Sequence, residues 1–218
     1  MTYETLINNV RAKFRTDPNK RIITDAVVGL FLNDGQRIIE RKADWPFAEV
    51  SRTFSTSIGS QEYTLSTIMR EVTIVQHQDR ELPLNLMDYA ESKLYGTASG
   101  TPYAYYVVGK NKIGFVNIPA NVRTITYSGI RYFPAITSTT ASIIPDQDQD
   151  LLEIYALAQC YKTLNQLERG NDKMGEFYDG LAKMEENYTM RVPGGDYRIK
   201  DPEEFDNVQE NTFNYFTQ

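Results

Sequence analysis

YVVGKNKIGFVNIPANVRTITYSG, residues 106–129, leads within a few residues to IIPDQDQDLLEIYALAQCYKTL, residues 143–164. The first stretch has the two-residue period of β-strands. Ile113, Phe115 and Asn117 alternate with their neighbours, as do Val122, Thr124, Thr126 and Ser128, with Pro119 between the two runs. Residues 103–109 and 112–117 form a hairpin pattern with Lys110-Asn111 at its turn. The second stretch changes to helical spacing, with Leu151, Ile154, Tyr155, Ala158, Tyr161, Leu164 and Leu167 on one stripe. Pro145 suits a first helical turn because it lacks an N–H that would go unpaired there. Asp146, Asp148 and Asp150 place negative charge at the positive end of the helix dipole. A β-meander thus runs directly into a long helix.

Working outward, Gly170 reads as the stop of that helix and Asn171 as the cap of another. The second helix carries Met174, Phe177, Tyr178, Leu181, Met184 and Tyr188, and so short a connection predicts antiparallel packing. Upstream, strands are expected at 49–57, 62–65, 69–78, 103–109, 112–117, 122–131 and 140–143. A short helix is expected over 85–94 on the spacing of Leu86, Tyr89, Ala90 and Leu94. The N-terminal part reads as a helix over 2–16, capped by Thr2 and stopped by Asp17-Pro18-Asn19, with Tyr3, Leu6, Ile7, Val10 and Phe14 on one face. A longer helix follows over 20–43 and ends at Trp45-Pro46. Asn33, Asp34 and Gly35 weaken its middle, and Gly35 marks a break or a close backbone approach.

The expected fold is therefore α+β. A helical bundle is formed by N-terminal helices (1–46) and a C-terminal helical hairpin (145–191), with an inserted antiparallel β-domain (47–144) and an extended C-terminal arm (192–218). The arm opens with Pro193-Gly194-Gly195 and carries six acidic residues against two basic ones. It also holds Tyr197, Phe205, Phe213, Tyr215 and Phe216. A purely solvating tail needs no aromatic residues, so these five are the candidate partner-binding side chains of an arm that orders against a partner or a neighbouring subunit, the alternative being a disordered end.

Among 218 residues, 41% are hydrophobic and 24% charged, which fits a packed core. The net charge of −6 and the lack of basic clusters argue against gripping nucleic acid by its phosphates. The single cysteine, Cys160, sits at an apolar helical position and has no second thiol to pair with. No stretch approaches the roughly 20 apolar residues of a membrane span, and the N-terminal segment lacks the apolar core of a signal peptide. Synthesis in the cytoplasm of the producing cell is expected. The lone histidine, His77, reads as a half-exposed strand residue without a second His or Cys for metal binding. No phosphate loop, dinucleotide fingerprint or G-x-S-x-G element is present. Asp146, Asp148 and Asp150 lack the glycine and distal glutamate of a calcium loop and read as helix capping. No catalytic residue, cofactor or metal is expected.

The ordered series FLNDGQRIIERKADWPF (31–47), TFSTSIGSQEYTLST (53–67), GTPYAYYVVGKNKIGFVNIPANVRTITYSGIRYFP (100–134) and IIPDQDQDLLEIYALAQCYKTL (143–164) resembles the head-to-tail adaptor, or connector, proteins of tailed bacteriophages. The likeness covers roughly residues 2–191. One departure is Ser66 after Leu65, where such proteins often carry Leu-Pro. The resemblance implies a structural virion protein of the neck. It would form a homo-oligomeric ring of about twelve copies below the portal, bind portal and tail or nozzle proteins, and pass DNA through its channel without specific binding. The alternative in the same class is another phage tail or baseplate component.

Overall fold

The computed structural model describes residues 1–14, 22–95 and 98–189, and these form a mixed α+β structure. Helix α1 (Tyr3–Lys13) is capped by Thr2, whose hydroxyl accepts from the Thr5 N–H at 3.2 Å. Its expected stop at Asp17-Pro18-Asn19 lies outside the described residues. Helix α2 (Asp25–Lys42) begins five residues later than its apolar pattern indicated, because Thr24 caps it through the Val27 N–H. Helix α4 (Asp150–Thr163) buries residues on nearly every side, from Leu151 and Leu152 through Tyr155 and Ala156 to Cys160. It touches α1, α2 and α5 (Leu167–Thr189). The expected single stripe is therefore too narrow a description. Leu167 belongs to the next helix and is exposed.

Gly170 is not a helix stop. The turn between α4 and α5 is made by Asn165, which adopts φ +58°, a conformation asparagine tolerates better than most residues. Gly170 lies inside α5, where a side chain would collide with Lys162 and the Ala158 carbonyl of α4. Gly35 fulfils the close-approach expectation, since a Cβ there would lie only 2.9 Å from the Tyr155 ring. The polar residues around Gly35 do not break α2. Asn33 donates to the Ile136 carbonyl at 3.1 Å and accepts from the Ile136 N–H at 2.7 Å. Gln36 donates to the Pro134 carbonyl at 2.7 Å, and Glu40 accepts from the Phe133 N–H at 3.0 Å. Three side chains on one helical face thus stitch the extended segment 133–136 to α2.

The strands are β1 (Glu49–Ser55), β2 (Glu62–Thr64), β3 (Met69–His77), β4 (Asn85–Leu86), β5 (Ser99–Gly100), β6 (Ala104–Val108), β7 (Lys112–Val116), β8 (Ile118–Pro119) and β9 (Thr124–Arg131). Strands β1, β9 and β3 form one antiparallel sheet in that order. A second sheet has the order β2-β7-β6-β4, antiparallel except for the short β4–β6 pairing, and β5 and β8 form a two-residue parallel pair. The β6–β7 hairpin forms as expected, but Val108 stands opposite Lys112, so its turn is the three residues Gly109-Lys110-Asn111, with Gly109 at φ +62°, and not Lys110-Asn111 alone. Val72, Val75, Tyr105, Ile113, Phe115, Ile125 and Tyr127 fill the space between the two larger sheets. Residues 140–143 form no strand. The expected 85–94 helix is a strand followed by the single turn α3 (Tyr89–Ser92), and Leu86 and Leu94 face solvent instead of packing. Periodicity over so short a stretch does not separate a helix from an extended apolar segment.

Strand β3 carries two bulges, which add Arg70 and Thr73 against β9. Each extra residue shifts the alternation by one. The phase becomes Met69, Val72, Val75 and His77 inward, with Ile74 outward. His77 is therefore buried, not half-exposed. Its Nδ1 accepts the Asp79 backbone N–H at 3.1 Å, which requires the neutral ring. Arg70, turned sideways by its bulge, donates to the Glu40 carbonyl at 3.0 Å and pairs with Asp44, so the β-layer is held to the end of α2. Trp45, Phe47, Phe133 and Tyr188 interlock at centroid distances of 5.3–6.0 Å over the same joint.

Gly129 faces the first bulge, and a Cβ there would lie 2.1 Å from the Glu71 carbonyl oxygen. Gly129→Ala should lose about 3 kcal/mol of stability in urea unfolding, because backbone cannot step aside. Gly175→Ala, in open space inside α5, should gain about 0.7 kcal/mol. Equal effects of the two changes would contradict this packing. Burial, opposed by Asp79 and aided by Arg123 and Arg80, holds the His77 pKa below its ordinary 6.5. The unfolded chain therefore takes up this proton first. The contribution of His77 is whole above pH 6.5 and is lost as pH falls through the lowered folded value. The drop in unfolding midpoint from pH 7 to pH 5.5 should be smaller in His77→Gln than in the parent chain.

Candidate functional site

Among the described residues, Cys160, Asp146, Asp148 and Glu153 are committed to structure. Cys160 is fully buried, and burial pushes its thiol up to about 11 despite the nearby Arg11 guanidinium, which leaves it an inert core residue. Asp146 pairs with the N-terminal amine, and Asp148 accepts from the Tyr188 hydroxyl at 2.8 Å. Both lie in a short 3-10 turn, Asp146–Asp148, just ahead of α4. Glu153 is buried and accepts from Asn9 and Lys13 of α1, each at 2.6 Å. Among the described residues no group of three or more His, Cys, Asp or Glu side chains is placed to hold a metal ion, and no helix is long and apolar enough to cross a membrane.

What the fold presents outward is apolar surface. Leu82, Leu86, Tyr89, Leu94 and Tyr95 are all exposed along one segment, with Leu82 at 76% and Leu94 at 83%. Lys93 covers part of this surface, its ammonium 4.6 Å from the Tyr89 ring and 5.5 Å from the Tyr106 ring. A hydrogen bond with Tyr89 is the main cause of its raised pKa, so its charge is firmly held. The Ser57–Ser60 turn is tied down by Tyr63, whose hydroxyl accepts from the Ser57 N–H and lies 2.9 and 2.8 Å from the Ser57 and Ser60 carbonyls. That turn and the loop before β9 present two more exposed apolar side chains, Ile58 and Val122. Thr56 joins the two loops through Asn121 and Arg123.

Two depressions add relief. One, of about 730 Å³, runs across the outer face of the β1-β9-β3 sheet and is edged by Asp44, Glu49 and Glu71. The other, of about 480 Å³, lies between α2 and α5 and is lined by Ile38, Arg41, Lys42, Tyr178, Leu181 and Ala182. The five candidate arm residues, Tyr197, Phe205, Phe213, Tyr215 and Phe216, lie outside the described residues. The 82–95 surface was missed from sequence because Leu86, Tyr89 and Leu94 were assigned to the apolar positions of a helix over 85–94. Pro83 and the shortness of the run were the signals against that assignment.

An arrangement of this kind is suited to contact between proteins: apolar surface on short, well-anchored loops, with ionisable groups spent on internal bonds. No curated protein matches the sequence. The family model described as SU10 adaptor protein matches residues 1–198. With nine-tenths of its length covered by that match, the chain belongs to the SU10 adaptor protein family, a family of phage head-to-tail adaptors.

Proposed function

We propose that this phage structural adaptor works as a homo-oligomeric ring of about twelve copies seated below the portal, where it lengthens the DNA channel and offers the tail its attachment surface. The helices of 1–46 and 145–191 form the bundle that serves as ring wall and portal contact. The 47–144 β-domain serves as the rigid surface for neighbours, and the 192–218 arm reaches a portal or neighbouring subunit with Tyr197, Phe205, Phe213, Tyr215 and Phe216. DNA passes without specific binding, in keeping with a net charge of −6, since attraction to phosphates would retard it.

The observation that carries this reading is the exposed run Leu82, Leu86, Tyr89, Leu94 and Tyr95. Scattered apolar residues are ordinary on a monomer, but five large ones within fourteen residues mark a surface that gains by being covered. A ring of like subunits covers such a surface with a different face of the neighbour.

Mass photometry of the protein with the portal ring of the same phage tests this. The expected result is a discrete complex with one adaptor per portal subunit. The double variant Leu86→Glu and Leu94→Glu changes two exposed positions. It should keep its circular dichroism melt yet form the complex at least about tenfold less well, as loss of apolar anchors at an interface does. No complex at micromolar concentration, or a double variant that assembles like the parent chain, would overturn the reading. The first of these outcomes would redirect the search to tail and baseplate partners.

A further inference from the structure

The groove between α2 and α5 has a feature the adaptor reading leaves unused. Its floor is apolar, with Ile38, Leu181 and Ala182, and the half-exposed Tyr178 ring forms one wall. The Tyr178 ring is held edge-on by Phe177 at 5.4 Å. The rim is cationic. Lys42 is engaged by Glu185 at 2.8 Å, whereas Arg41 is exposed and has no acidic partner among the described residues. One turn away, Arg37 is paired with Asp34.

The same chain carries a segment of matching chemistry. In Glu203-Glu204-Phe205-Asp206, one aromatic side chain is flanked by three carboxylates. We infer that this segment of the free chain docks into its own α2–α5 groove, with the Phe205 ring against Tyr178, Leu181 and Ala182 and its flanking carboxylates toward Arg41.

Length permits it. Helix α5 ends at Thr189, and Ala182 lies only about 10 Å back along its axis. The sixteen residues from Thr189 to Phe205 span up to about 50 Å when extended, and Pro193-Gly194-Gly195 lets the chain reverse. A tether of this length supplies the segment at an effective concentration of about a millimolar. At micromolar protein, the chain's own segment therefore outcompetes that of a second copy. The inference concerns the free chain and is independent of portal docking.

The test uses the full-length chain without portal. Phe205 is replaced by the photo-crosslinker p-benzoylphenylalanine, and adducts are mapped by mass spectrometry after irradiation. Adducts on Ile38, Tyr178, Leu181 or Ala182 in species of single-chain mass are expected. Two exposed-site variants should each reduce their yield about fivefold or more without altering the melt: Ala182→Glu, which fills and charges the groove, and Arg41→Glu, which reverses the rim. Adducts on other surfaces, adducts of two-chain mass, or a yield unaffected by Ala182→Glu would overturn the inference. None of these outcomes bears on whether the protein binds a portal, so the two readings fail separately.

Discussion

Helix α4 can exist in water only if it is enclosed. Leu151, Leu152, Tyr155, Ala156, Leu157, Ala158 and Cys160 leave it almost no polar face, so α1, α2 and α5 have to cover it. Glu153 makes the enclosure specific. A buried carboxylate is costly unless it is paired and hydrogen-bonded, and Lys13 and Asn9 of α1 supply both. The register of α1 on α4 follows. Gly35 then lets α2 approach the Tyr155 ring closely, and Asn33, Gln36 and Glu40 are left on a face from which they can hold the chain returning from β9. The β-layer is positioned by that return and by the Trp45 joint.

How much of this was legible depended on whether the controlling interaction was local. The β6–β7 hairpin, the Thr2 cap, the α4–α5 pair and the buried Cys160 follow from patterns a few residues long, and they read correctly. The burial of His77 did not, because a bulge at Thr73 inverts the faces and no residue there announces it. Gly170 misled because a glycine near a helix end can serve either a turn or a close approach. Here Asn165 made the turn. Asn33 looked like a flaw in α2 because its partner, Ile136, is 103 residues away.

The exposed surfaces were the least legible part. A leucine that packs and a leucine that waits for a partner look alike in sequence, and only burial separates Leu84 from Leu82 and Leu86. The expected aromatic arm rests on composition alone, on aromatic residues interspersed with carboxylates, and it lies outside the described residues. For a protein whose work lies in contacts, the informative quantity is which apolar side chains the fold leaves uncovered.

The stitches from α2 to residues 133–136 address only main-chain atoms: the N–H of Phe133, the carbonyl of Pro134, and both groups of Ile136. The helix therefore reads the path of its neighbour and is blind to its spelling. Mutational drift is constrained asymmetrically as a result. Asn33, Gln36 and Glu40 carry the memory of the junction, while a residue such as Ala135, whose main-chain groups none of the three engages, can wander in identity over generations without loosening it.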